Sequence, residues 1–163
     1  MPDIVFVCGA NGSGKSTFTR ALSAGWNICC VDPDALVLSG LSPIAAAKAV
    51  QDMESLFLID GVSFILESTL TSDSDFFLMQ TARNAGFRIR LIYIRLKSAD
   101  IAIARVRNRL GRTGREVSEG DIRRRYARSI ENLPKAMTIA DSTLIIDNSG
   151  TKFVILEEHN EEL

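Results

Sequence analysis

The sequence contains no apolar run of the roughly 20 residues that a membrane-spanning helix needs. Membrane insertion therefore has no support in it. Met1-Pro2-Asp3 leads directly into a strand-like run, without the basic region and small-residue cleavage site of a secretory leader, so a cytoplasmic location is expected. Cysteine is scarce. Cys8, Cys29 and Cys30 lie in or beside apolar runs, and a bridge between the adjacent Cys29 and Cys30 would be strained. That disfavours a disulfide framework or a thiolate metal site and fits buried, reduced thiols. Repeats, low-complexity tracts and linkers are also missing, so residues 1–163 are read as a single domain large enough for a sizeable core.

Net charge is only −1, yet the charges are segregated. Residues 83–128 carry 14 Arg and Lys against 4 acidic residues, leaving the rest of the chain acidic. Of those cations only Lys97 is a lysine, and arginine forks match phosphate geometry where lysine is a point charge. An anion site and solvated helix faces both account for such a stretch. Nucleic acid is a poorer fit, because the segment lacks the interleaved aromatics of a stacking surface.

Apolar runs alternate with helical patterns along the chain. Strands are predicted at 4–8, 28–31, 62–66, 89–96 and 144–146, with a further one at 153–156. Helices are predicted at 15–24, 43–59, 73–84, 98–110 and 119–133, a polar loop at 111–118, and a frayed acidic tail at 157–163. This order implies βαβ units and an α/β fold: a three-layer αβα sandwich with a mostly parallel sheet of five to six strands.

The strongest signal follows the first strand. Gly9-Ala10-Asn11-Gly12-Ser13-Gly14-Lys15-Ser16 satisfies GxxxxGK[ST] between a buried strand and a helix, which defines a P-loop NTPase motif. Gly9, Gly12 and Gly14, with Asn11 and Ser13 between them, allow a backbone whose N–H groups face phosphate oxygens. The helix beginning near Lys15 adds its positive end. Lys15 is expected on the β- and γ-phosphates, the Ser16 hydroxyl on Mg²⁺, and Thr17 on the α-phosphate.

In a parallel sheet, ligands collect at the carboxyl ends of the strands. There the sequence places Asp32 and Asp34 ("VDPDAL"), Glu67, Ser68 and Thr69 ("ILESTL"), and Asp147 and Asn148 ("IIDNSG"). Carboxylates beside a P-loop suit Mg²⁺ and deprotonation of an acceptor hydroxyl; Asp32 and Asp34 also suit a helix N-cap. Asn148 joins the nucleotide-binding set. Arg105, Arg109 and Arg112 share one helical face ahead of the polar loop, which reads as an arginine-bearing lid at 111–118.

Taken in order, "GANGSGKST", "VDPDAL", "GVSFILESTL", "AGFRIRLIYIRL" with "IAIARVRNR", and "RRRYARSIENL" with "DNSG" resemble the zeta toxin family of P-loop kinases in its short bacterial form, from about Pro2 to Gly150. The resemblance implies ATP and Mg²⁺ as cofactors and a UDP-amino sugar, UDP-N-acetylglucosamine, as acceptor. It further implies Asp34 as general base, Glu67 and Thr69 as substrate ligands, Arg105 and Arg115 on the phosphates, and an antitoxin protein as partner; Asp32, among the strand-end carboxylates, is the one expected on Mg²⁺. Asp32 stands where the family usually has Asn, and Arg115 where short members often have His. A polynucleotide or nucleoside 5′-kinase and a regulatory NTPase are the alternatives. For the last, neither a water-positioning residue nor a base-specificity element is found.

Overall fold

Six of the apolar runs pair into one sheet. The computed structural model describes residues 1–113 and 117–160, with the backbone alone for 110–113. Its strands are β1 (Asp3–Cys8), β2 (Cys29–Val31), β3 (Phe64–Ser68), β4 (Arg88–Arg95), β5 (Ser142–Asp147) and β6 (Val154–Asn160). Its helices are α1 (Lys15–Trp26), α2 (Pro33–Leu38), α3 (Pro43–Asp60), α4 (Asp73–Asn84), α5 (Ala99–Thr113) and α6 (Glu119–Ile139). The sheet order is β2-β3-β1-β4-β5-β6, parallel except for the β5–β6 pair.

Alternation along β1 shows why the sheet is covered on both sides. Ile4, Phe6 and Cys8 point into a core that α3, α4 and α6 complete with Val50, Met79 and Ile139. Val5 and Val7 point the other way, against Phe18 and Leu22 of α1. Every β1 residue from Ile4 to Cys8 is fully buried, as expected for a central parallel strand. A third cluster, Leu96, Ala102, Ile103, Val106 and Ile122, joins α5 to α6.

Strands β3 and β5 shift or lengthen by about two residues against the sequence reading, and four larger differences stand out. Helix α5 continues through Thr113, so residues 111–113 of the expected lid loop are helical. A glycine inside a helix costs about 1 kcal/mol relative to alanine and does not by itself end it. Helix α6 passes Pro134 and ends at Ile139, because Ala136 and Ile139 beyond the proline are anchored in the core. Helix α2 was signalled only by the capping character of Asp32, because it is too short for a periodic signal. The tail expected to fray is paired over 157–160, where Ile145 faces Glu157 and Leu144 faces Glu158 in antiparallel register. Backbone pairing on one side does not require apolar side chains, and an edge strand exposed on both faces tolerates Glu157 and Glu158.

Candidate active site

Strand β1 lies between β3 and β4, and its register sets Cys8 beside Ser68. The chain then leaves the sheet at Gly9, whose N–H donates to the Ser68 carbonyl at 3.2 Å. The loop that follows demands glycine at two points in particular. A Cβ on Gly9 would stand 2.4 Å from the Ile94 carbonyl oxygen. Gly14 has φ +98°, and its Cβ would meet Asn148 Nδ2 at 2.5 Å. Gly14 is also the N-cap of α1, and no side chain bonds to that helix's first N–H groups. Those donors and the positive end of α1 would suit an anion.

The loop's polar groups divide in two. Asn148 Nδ2 donates to the Ser13 carbonyl at 2.7 Å and ties the end of β5 to the loop. Lys15 Nζ donates to the Gly9 and Ala10 carbonyls at 2.9 and 3.1 Å. Burial lowers the Lys15 pKa, opposed by the charge of Glu67. The Ser13 hydroxyl and Asn11 Oδ1 are buried without a hydrogen-bond partner. Buried polar atoms are rarely left so. The Ser13 hydroxyl and the N–H groups at the start of α1 are donors that phosphate oxygens would satisfy, so the cradle suits a nucleoside triphosphate.

Glu67 is the carboxylate nearest the loop. It is 6 % exposed and opposite Val7 in the β1–β3 register. Its Oε2 accepts from Ser16 Oγ at 2.9 Å, and its Oε1 accepts from Thr19 Oγ1. Burial raises its pKa, while the two hydroxyls pull the other way. Ser16 and Thr19 are three residues apart on α1, so one face of the first turn holds the carboxylate. A hydroxyl and a buried carboxylate in contact form a hard-oxygen pair suited to Mg²⁺.

Beside the loop lies a cleft of about 420 Å³. Lys15 and Asn11 line it from the P-loop, Asp32 and Asp34 from the start of α2, and Glu67 and Thr69 from the end of β3. Asp32 has a structural duty as well: its Oδ1 accepts the Asp34 N–H at 2.9 Å and caps α2. Thr17, in the first turn of α1, is exposed. Arg105 lies beside Gly12, with its Nη2 donating to the Gly150 carbonyl at 3.1 Å. Asp147 accepts the Ser149 N–H at 2.7 Å, which lowers its pKa and turns the chain after β5. Arg115 and the middle of the expected lid lie outside the described residues.

Sequence reasoning did not single out three residues of this cleft, Glu54, Asp75 and Arg125. Glu54 sits in mid-α3, where burial and the nearby Asp75 push its pKa up to about 7. Asp75 is 8 % exposed, and burial raises its pKa too. Arg125 was visible only as one of a run of arginines. Arg125 is exposed, but helical spacing sets it on the face of the buried Ile122 and Ser129, beside the cleft that it lines.

The family model described as "Zeta toxin" matches residues 39–160, which leaves the P-loop outside the matched segment. An uncharacterized protein of Haemophilus influenzae is 30 % identical over 128 residues, covering 75 % of this chain and 91 % of the relative. Among solved structures, that of the PezAT toxin–antitoxin system of Streptococcus pneumoniae superposes with TM-score 0.74 at 17 % identity, covering all of this chain and 74 % of that one. A candidate kinase from Chloroflexus aurantiacus superposes with TM-score 0.62 at 26 % identity, over 78 % of this chain and 76 % of that one. The AvrRxo1-ORF1:ORF2 complex with ATP superposes with TM-score 0.69 at 14 % identity, over 97 % and 58 %.

Proposed function

The chain belongs to the zeta toxin family and is a P-loop phosphotransferase; on that footing we propose that it transfers the γ-phosphate of ATP to a hydroxyl of a small acceptor, a UDP-amino sugar such as UDP-N-acetylglucosamine. The observation that carries this reading is the shared cleft. Lys15, from the phosphate-binding loop, and Asp34, a carboxylate able to take a hydroxyl proton, line one cavity.

In the transfer, Asp34 accepts the proton of the acceptor hydroxyl as its oxygen bonds to the γ-phosphorus. The bond from that phosphorus to the β–γ bridging oxygen breaks, and ADP leaves with the electron pair. Lys15 gives up its two loop carbonyls for phosphate oxygens, charged acceptors that make stronger hydrogen bonds. Arg105 exchanges the Gly150 carbonyl in the same way. Arg115 is assigned to the phosphoryl group on the family resemblance alone. Mg²⁺ would be held by Ser16 with Glu67 behind it, and when bound it neutralises charge on the β- and γ-phosphates.

The makeup of the cleft supports a small polyhydroxyl acceptor. Asp32, Asp34, Glu54, Glu67 and Asp75 line it with Lys15 and Arg125, and carboxyl oxygens accept hydrogen bonds from hydroxyls. The toxin–antitoxin system among the structural neighbours supports an antitoxin protein as partner.

ADP release by the full chain with ATP and Mg²⁺ tests the assignment in three arms: no acceptor, UDP-N-acetylglucosamine, and an oligonucleotide with a free 5′-hydroxyl. Acceleration by the sugar nucleotide is expected. Acceleration by the oligonucleotide alone would replace the proposal with a 5′-kinase, and equal rates in all arms would reject the UDP-sugar acceptor.

A further inference from the structure

Thr69 and Thr71, which both line the cleft, flank a residue in a conformation that L side chains rarely adopt. Leu70 has φ +57°, and apart from Asn27 it is the one non-glycine residue with positive φ among those described. Asn27 is exposed, at a helix end, and of a type that tolerates this region; Leu70 is fully buried and is not.

The reversal at Leu70 has a geometric result. Residues i and i+2 of an extended strand lie about 6.6 Å apart. Here the Thr69 and Thr71 hydroxyl oxygens lie 2.8 Å apart, hydrogen-bonded to each other in the cleft wall. The kink makes two hydroxyls into one joined donor–acceptor unit, well suited to a sugar hydroxyl.

Two side chains hold Leu70 in place. On its amino side, Ser68 Oγ accepts the Leu70 N–H at 2.9 Å and donates to Asp75 Oδ1 at 2.7 Å. On its carboxyl side, Asn132 Nδ2 donates to the Leu70 carbonyl at 2.9 Å, across 62 residues of sequence. Asn132 belongs to α6, where it shares a face with Arg125 of the cleft and with Ser129, whose hydroxyl meets Tyr93 Oη at 2.9 Å. The face that presents Arg125 thus also clamps the Leu70 turn.

We infer that Asn132 is a positioning residue for the acceptor: its hydrogen bond to the Leu70 carbonyl keeps Leu70 left-handed and so keeps Thr69 and Thr71 joined in the cleft. This rests on the proposal that the cleft holds the acceptor. Asn132 touches neither the P-loop nor Ser16 and Glu67, so its loss acts on acceptor binding and spares ATP.

Two variants test this, Asn132→Ala, which deletes the donor, and the near-isosteric Asn132→Asp, which turns a carboxylate oxygen on the Leu70 carbonyl. Thr-methyl NMR of the full chain reads the turn directly. The Thr69 and Thr71 resonances should shift, with those of Thr17 and Thr81 unmoved. In kinetics with UDP-N-acetylglucosamine, the acceptor KM should rise roughly tenfold, the equivalent of one neutral hydrogen bond, with kcat and the ATP KM within about twofold. Unmoved Thr69 and Thr71 resonances in both variants would overturn the inference, as would a lower melting temperature with an unchanged acceptor KM. A wild-type chain that does not use UDP-N-acetylglucosamine would refute the assigned acceptor instead, and the NMR result would still decide the role of Asn132.

Discussion

Ser16 Oγ lies 2.9 Å from Glu67 Oε2, although 51 residues separate them in sequence. The contact exists because β3 pairs directly with β1, so the end of β3 delivers a carboxylate to the first turn of the helix that leaves the P-loop. Thr19, one turn on, donates to the other oxygen. Family resemblance makes Glu67 a substrate ligand; its contacts make it the partner of the proposed metal ligand Ser16.

That pairing predicts a metal-linked defect in Glu67→Gln. Neutralising the side chain keeps its shape but weakens its hold on Ser16. The Mg²⁺ concentration for half-maximal ADP release should rise about 10- to 100-fold, the usual cost of losing an outer-shell partner. An unchanged Mg²⁺ titration would return Glu67 to a purely substrate-binding role.

Lys15→Ala should lower turnover by at least about 10²- to 10³-fold, since it removes a cation aimed at transferring phosphate. The fold should survive, because the hydrogen bonds of the Lys15 ammonium run to carbonyls of its own loop. Circular dichroism melts and ADP release on the same sample check both halves. Wild-type turnover in a folded variant would remove Lys15 from the chemistry.

Asp34 and Asp32 should part company. Asp34→Asn deletes the proposed base, and phosphoryl transfer should fall about 10²- to 10⁴-fold with ATP affinity retained. Asp32→Asn should be mild, because asparagine caps a helix as well as aspartate does. Steady-state rates and ATP titrations compare the two. A severe Asp32 variant beside a mild Asp34 variant would reverse their roles.

Glu54 makes stability depend on pH. Its pKa is about 7 in the fold, against an ordinary 4.5. Between those values the folded chain holds a proton that the unfolded chain has released, so this residue makes stability fall as pH rises from about 4.5 to 7 and adds nothing further above that. Glu54→Gln removes the effect. Its melting temperature relative to wild type should therefore climb between pH 5 and pH 8, as followed by circular dichroism. A constant difference across that range would show that Glu54 titrates normally.

Much of this was legible in chain order alone. The P-loop could be read because all its parts are local: Gly9, Gly14, Lys15 and Ser16 meet backbone demands within eight residues, and strand and helix patterns flank them. The buried β1 run and the Ser72-capped α4 were equally local, since neighbouring residues supply both period and cap. The paths of α5 through Gly111 and α6 past Pro134 were not legible. Local propensity argues for a stop at each; past Pro134 the packing of Ala136 and Ile139 outweighs it.

Most of the candidate site needed the folded sheet. Sequence placed Asp34, Glu67 and Thr69 at strand ends, but their meeting with Lys15 in one cleft depends on strand order, a long-range property. Glu54, Asp75, Arg125 and Asn132 carry no motif. They stand on three helices, α3, α4 and α6, that share a core against one face of the sheet, and an isolated Glu or Asn in an amphipathic helix gives no sign of which neighbour it will meet. Chemistry that a short loop performs with its own backbone is written in consecutive residues. Chemistry assembled from side chains 60 residues apart exists only after packing has chosen the neighbours.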